Sequence, residues 1–282
     1  MNSEVLGVIA DSAVESSVGD IPLRQRRFGG IERLYGSEGL DRLLSSHICV
    51  IGIGGVGSWV AEALARTAVG ELTLIDLDVV AESNINRQLV ALDSQLGRDK
   101  TAVMCERIAD INPNCRVHQI DDFITTANAA ELLGDQFDYV VDCVDDFRVK
   151  AAIVDHCKRH KMKLVTVGGA GGQIDPSKIV RADLSKTEHD VLLARTRKLL
   201  RQDYGFPKNL KRSFGIATVY SKEQLRFPDG EGGLSSSKPT AGDVEGSLNG
   251  LNCAGGLGSV THVTAAFGML AASVAINDLV QR

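Results

Sequence analysis

Six cysteines are scattered along the 282 residues, at positions 49, 105, 115, 143, 157 and 253, and no two form a C-x-x-C pair. That spacing gives neither a zinc site nor a disulfide framework, and it points to a reducing compartment, the cytoplasm. An excess of positive charge is also lacking: 31 Lys and Arg stand against 36 Asp and Glu, a formal net charge of −5. This balance argues against indiscriminate nucleic-acid binding and leaves room only for a local basic patch. The first 20 residues have no basic n-region and no long apolar core. They make a poor signal or transit peptide and read as a flexible tail, residues 1–20. Internal repeats are not visible. Charge is missing from Ala254 to Ile276, and an uncharged run of about eighteen residues or more is a membrane-span candidate. This one is mostly Ala, Gly, Ser and Thr, with His262 inside it, so a buried or dimer-interface helix is favoured over membrane association.

What is present suits a folded chain. Hydrophobic residues make up 44% and charged residues 24%, which excludes general disorder and allows one large or two small domains. The organising stretch is His47-Ile-Cys-Val-Ile-Gly-Ile-Gly-Gly-Val-Gly57. An apolar strand breaks into a glycine turn, and a helix-like segment, Ser58 to Ala65, follows. Gly52, Gly54, Gly55 and Gly57 would let phosphates approach backbone N–H groups at a helix N-terminus. Such a turn serves NAD, FAD and ATP proteins alike.

Further elements alternate. Strands are expected at Glu71–Asp76, Arg116–Ile120, Phe137–Cys143 and Lys163–Val167. Helices are expected at Arg24–Leu44, Lys100–Ile111, Ala127–Leu133 and Phe147–His160. This order predicts a doubly wound, mostly parallel, Rossmann-like α/β sheet. Beyond Gly168 the character changes. Strand patterns at Lys178–Asp183 and Ser213–Tyr220 flank a basic segment, and residues 228–250, rich in Gly, Ser and acids, predict a mobile loop. We therefore divide residues 21–282 into a nucleotide-binding half, about 45–170, and a substrate and dimer half, about 171–282, with a C-terminal antiparallel extension.

The chemistry-bearing residues follow the glycine turn. Asp76 stands where a carboxylate accepts ribose hydroxyls, and Asp78 can point to the same face, toward a metal or a phosphate's water. Asn84, Arg87 and Gln88 are planar donors suited to phosphate oxygens. Lys100 opens a helix, where an unpaired lysine opposes the dipole and so implies an anionic partner. A nucleoside triphosphate needs these cations and a dinucleotide does not. Asp145 and Asp146 follow the fourth strand: one is a candidate Mg²⁺ ligand and the other a helix cap. Between Val191 and Arg212 lie Arg195, Arg197, Lys198, Arg201, Lys208, Lys211 and Arg212, with Asp203 the only acid.

The combination Gly52-x-Gly-Gly-x-Gly57, Asp76-x-Asp78, Asn84-x-x-Arg87-Gln88, Lys100 and Cys143-x-Asp145 resembles the ubiquitin-activating-enzyme-like, ThiF-type adenylating superfamily. Within it the chain is most similar to the dehydratases of threonylcarbamoyladenosine in tRNA. That likeness runs through Arg27-Phe-Gly-Gly30, Arg33-Leu-Tyr-Gly36, Gly54–Trp59, Ala61–Thr67, Ile111-Asn-Pro113, Gly168–Pro176 and Cys253-Ala254, and covers roughly residues 24–282. The resemblance implies ATP and Mg²⁺ as cofactors, phosphate contacts from Asn84, Arg87, Gln88 and Lys100, and Asp145 as metal ligand. Arg87, Lys100 and Asp145 are then the catalytic candidates. It implies cyclisation of the modified adenosine through a carboxyl adenylate, and a homodimer. It also brings tRNA in as partner, with the basic segment as its docking site, and a cysteine desulfurase or sulfur acceptor as a further candidate. The superfamily's arginine finger would fall at Gly30, so Arg27 and Arg33, three residues to either side, are the candidates. The two zinc C-x-x-C pairs usual in carrier-activating members are absent. Cys253, in a small neutral setting, reads as an inert thiol rather than a thioester nucleophile. Two alternatives of other classes are adenylation of a carrier protein's C-terminus linked to sulfur transfer, and an NAD-binding module.

Overall fold

A computed structural model describes residues 23–229, 233–235 and 257–281. In chain order the helices are α1 (Leu23–Ser45), α2 (Gly57–Arg66), α3 (Lys100–Ile111), α4 (Ala129–Leu132), α5 (Phe147–Arg159), α6 (Val191–Asp203) and α7 (Thr261–Val280). The strands are β1 (His47–Ile51), β2 (Glu71–Ile75), β3 (Arg116–Ile120), β4 (Tyr139–Asp142), β5 (Leu164–Val167), β6 (Ile179–Asp183), β7 (Ala217–Ser221), and the short β8 (Phe227–Pro228) and β9 (Leu234–Ser235).

Strands β1, β2, β4 and β5 are apolar runs buried almost throughout, as strands covered on both faces must be. They form the centre of a seven-stranded sheet of order β3-β2-β1-β4-β5-β7-β6. Every pairing is parallel except the last, where β6 runs antiparallel to β7. The sheet is therefore the expected doubly wound α/β architecture with an antiparallel C-terminal extension. One core holds Ile48, Val50, Leu72, Leu74, Val60 and Phe267; the opposite one holds Cys49, Ile51, Val140, Val154 and Leu193. Strand order reverses between β1 and β4, and in open α/β sheets the crevice at such a switch point receives the ligand.

Several expected elements are shorter than the pattern suggested, and two of them have a visible local cause. Before α4, the Asn128 side chain accepts from the Thr125 N–H at 2.6 Å and the Asn128 N–H donates to Thr125 Oγ1 at 3.2 Å, a local turn that takes the place of a first helical turn. Ser213 to Ile216 is no strand. There the Asp183 carboxylate accepts from Ser213 Oγ and from the N–H groups of Phe214, Gly215 and Ile216, folding the segment around itself.

The uncharged C-terminal run becomes α7. By length and composition it is the one described helix able to cross a membrane, yet 56% of its most apolar window is buried inside the fold. A Cβ at Gly268 would stand 2.7 Å from Trp59 Cβ and 2.8 Å from the Val56 carbonyl oxygen. Only glycine permits this approach of α7 to α2. The helix is part of the core. Cys253 and nearly all of the expected mobile loop lie outside the described residues.

Candidate nucleotide-binding site

The glycine turn joins β1 to α2. Gly52 adopts φ +84°, and a Cβ on Gly57 would fall 1.8 Å from the Gly52 carbonyl oxygen, so the turn closes only without side chains at these points. The N–H groups of Gly54, Gly55, Val56 and Gly57 donate to no group among the described residues. Four such donors at the start of a ten-residue helix offer a seat suited to an anion, and the helix dipole adds to it.

Asp76 ends β2 beside this seat. Its carboxylate accepts from the N–H of Ile53 at 2.6 Å and of Asp78 at 2.8 Å. Burial pushes its pKa up, against the pull of Lys100 and of those two N–H groups. A carboxylate has about four lone-pair sites, so two bonds leave acceptor capacity for hydroxyl groups. Lys100 differs from its sequence reading. It is not unpaired: its Nζ lies 2.7 Å from Asp78 Oδ2, and the anion implied by its place on the helix is, here, Asp78. The lysine side chain is 5% exposed and the aspartate 54%. The pair is open on the acid's side, so a phosphate can take the acid's place.

Arg87 packs over Gly55, where a Cβ would meet Arg87 Cγ at 3.3 Å. Its Nη1 donates to the Ser83 carbonyl at 2.6 Å and to Asn86 Oδ1 at 3.0 Å, which holds the guanidinium next to the turn. Asn84 is buried, and its side-chain oxygen accepts from the Ala81 N–H at 3.2 Å; that oxygen fixes its own turn. Gln88 is buried beside Gly54, and its Oε1 has no partner among the described residues. A buried amide oxygen without a donor is costly, and a ligand donor would relieve it.

At the end of β4, Asp146 caps α5, accepting from the N–H groups of Arg148 at 2.7 Å and Val149 at 3.0 Å. Asp145 is exposed and makes no hydrogen bond or ion pair among the described residues. Behind them lies a cluster that sequence reasoning missed. Lys150 and Asp142 are both fully buried, with Nζ 2.8 Å from Oδ2. Thr166, across from Asp142 in the β4–β5 register, donates to the same oxygen at 2.6 Å. The other carboxylate oxygen accepts from the Val144 N–H at 3.0 Å, which fixes the chain path into Asp145. Asp190, the buried N-cap of α6, accepts from the N–H groups of Leu193 and of Gly169, just past β5. The visible signals were a lone acid ending an apolar strand and a lysine on the apolar face of α5.

Comparison with known proteins agrees with this arrangement. The ThiF family matches residues 28–281. The chain belongs to that family. Membership places it among the ATP-using adenylating enzymes. It is 50% identical over 258 residues to the tRNA threonylcarbamoyladenosine dehydratase of Haemophilus influenzae, a match covering 92% of this chain and 95% of that protein. The Bacillus subtilis enzyme of the same name is 38% identical, over 70% of this chain and 75% of its own. Among solved structures, Escherichia coli tRNA N6-threonylcarbamoyladenosine dehydratase in complex with ATP superposes with a TM-score of 0.79 at 45% identity, covering 90% of this chain and 94% of that one. Its complex with AMP gives 0.79 at 44%, covering 95% and 98%.

For a ThiF-family chain the remaining cations sort clearly. Arg27 is engaged within its own chain, its Nη1 donating to the carbonyls of Asp110 at 2.8 Å and Ile111 at 2.7 Å at the end of α3. Arg33 is exposed and makes no hydrogen bond or ion pair among the described residues. Of the seven cations in the basic segment, Arg197 bonds Thr187 Oγ1, and Arg201 lies over the Phe214 ring, 5.0 Å from its centroid, and donates to the Pro207 carbonyl. These two hold the fold. Arg195, Lys198, Lys208, Lys211 and Arg212 are exposed. Every cysteine among the described residues, Cys49, Cys105, Cys115, Cys143 and Cys157, has its thiol pKa pushed up chiefly by burial, Cys143 to about 12. None is an activated nucleophile.

Proposed function

We propose that this chain closes N6-threonylcarbamoyladenosine in tRNA to its cyclic form, using ATP to activate the threonyl carboxylate. The observation that carries the proposal is the convergence of free N–H groups at Gly54–Gly57, Arg87 and the open Lys100–Asp78 pair on one crevice. The near-full-length likeness to the dehydratases named above supports it.

The threonyl carboxylate attacks the α-phosphate of ATP, and pyrophosphate leaves. The carbamoyl group of the same modification then attacks the activated carbonyl, AMP departs, and a ring closes with net loss of one water. No enzyme nucleophile is needed because the attacking group is already tethered to its target; the raised thiol pKa values among the described cysteines agree with this. The glycine-turn N–H groups and Arg87 hold the phosphates, and Lys100 turns from Asp78 to the charge that develops on them. Asp76 accepts from the ribose, and Gln88 Oε1 gains its missing donor. Mg²⁺, which the family implies, finds a fitting hard oxygen donor in Asp145, which has no partner of its own among the described residues. When bound, the ion offsets phosphate charge. Arg33, presented across a homodimer, serves as the finger. Arg195, Lys198, Lys208, Lys211 and Arg212 meet the tRNA backbone.

The test is direct. Incubated with ATP and tRNA carrying threonylcarbamoyladenosine, the protein should release AMP and pyrophosphate while the modified nucleoside loses the mass of one water. Unchanged nucleoside mass, or adenylate formation on a carrier protein's C-terminal tail instead, would overturn the reading.

A further inference from the structure

The parallel strands bring a second set of ligand-type side chains together at the amino edge of the sheet. In register, His47 of β1 pairs with Glu71 of β2 and Glu71 with Arg116 of β3, while Thr73 of β2 pairs with His118 of β3. Side chains two apart on a strand share a face, so His47, Glu71, Thr73 and His118 all project on one side. His47, Glu71 and His118 each offer one ligand atom, an imidazole nitrogen or a carboxylate oxygen, and these atoms all lie within 4.8 Å of one another. Glu71 Oε1 is 2.7 Å from His118 Nε2 and 3.8 Å from His47 Nδ1.

We propose that His47, Glu71 and His118 form a binding site for a divalent late transition metal, with zinc the fitting ion. Two imidazoles and one carboxylate are a ligand set that such ions take readily, leaving a fourth position to water. Metal–ligand bonds of about 2.0–2.2 Å in tetrahedral geometry put donors about 3.4 Å apart. The two carboxylate–imidazole separations, 2.7 and 3.8 Å, bracket that value and all the donors lie within 4.8 Å of one another, so side-chain shifts of about an ångström complete the geometry.

The surroundings orient the ligands. His47 Nε2 lies 2.8 Å from Thr73 Oγ1. The tautomer that donates there leaves Nδ1 its lone pair toward Glu71. Phe137 meets the His47 ring edge-on, 4.9 Å between centroids, and limits its rotation. Arg116 is the opposing charge, and it pairs with Oε2 of Glu71, leaving Oε1 to the histidines. Asp138, whose carboxylate accepts from the His47 N–H at 3.0 Å, adds a second negative charge nearby.

The five-residue length of β1 puts this trio about 15 Å from the glycine turn. The metal therefore joins the edge strand β3 to β1 and takes no part in adenylation. Cobalt and zinc salts alone, added to the full chain, test this. We expect one equivalent of Co²⁺ to bind with visible d–d bands and no thiolate charge-transfer band, and to be displaced by Zn²⁺. Zn²⁺ should raise the Tm of the wild type. His118→Gln, which changes a side chain 44% exposed, should weaken binding at least tenfold, abolish the Tm response, and leave ATP turnover unchanged. A thiolate band, no stoichiometric binding, or affinity equal to wild type in both His118→Gln and Glu71→Gln would overturn the proposal.

Discussion

Two lysine–aspartate pairs stand at the carboxyl edge of the sheet with nearly equal N–O distances, 2.7 Å for Lys100–Asp78 and 2.8 Å for Lys150–Asp142. Their surroundings are opposite. Lys150 and Asp142 are sealed from water and tied further by Thr166 and Val144. Asp78 is 54% exposed, so its lysine has a partner that water, or a phosphate, can replace. In a dry interior, loss of one charge strands the other; at an open edge it does not. The Lys150–Asp142 pair therefore fixes the geometry of the strand end, and the Lys100–Asp78 pair is open to a ligand.

The largest effect should come from the sealed pair. Lys150→Met leaves Asp142 buried and uncompensated, and should lower unfolding free energy by about 3–5 kcal/mol in urea titration; a loss under about 1 kcal/mol would erase the contrast. Next, Lys100→Ala should reduce ATP turnover about a hundredfold, equivalent to about 2.7 kcal/mol, while stability changes by less than about 1 kcal/mol. Destabilisation as large as that of Lys150→Met would make the two pairs equivalent after all. The smallest effect repeats the contrast in acids alone. Burial would raise Asp183, but hydrogen bonds from Ser185, Ser213 and Phe214 outweigh it and hold its pKa well below the usual carboxylate range. Asp76, with fewer donors, is pushed up. Because Asp183 is depressed in the folded state, its stabilisation is complete above its unfolded value near about 3.9 and is lost as pH falls toward the folded value. Asp183→Asn should therefore cost about 1 kcal/mol at neutral pH. The gap between wild type and variant should hold from about pH 6 to about pH 4 and narrow below that as urea midpoints are followed to about pH 2; a constant gap would assign the effect to packing.

The sheet was largely legible because its strands are short apolar runs closed by turn residues, and the glycine turn because its spacing serves one geometry. The position of Lys100 on α3 was legible, and its partner was not, since Asp78 comes from a different element 22 residues earlier. Asp142 and Lys150 escaped because neither residue announces the other: the β4–β5 register and the face of α5 bring them together. Arg27 was ambiguous for a similar reason. Its partners are backbone carbonyls 83 and 84 positions away, which no side-chain pattern reports.

The backing of the nucleotide seat comes from far along the chain. Thr264 on α7 donates to the Arg87 carbonyl at 3.2 Å across 177 positions, and Thr261 Oγ1 donates to the Asn86 carbonyl at 2.6 Å. Gly268 of the same helix is pressed against the first turn of α2. A growing polypeptide that has completed the glycine turn, Asp76, Arg87 and Lys100 still lacks the helix that braces the turn and Arg87. On the proposed function, nucleotide affinity should double as a readout of full synthesis: nascent chains that stop short of α7 carry the proposed phosphate ligands and lack the helix behind Asn86, Arg87 and α2.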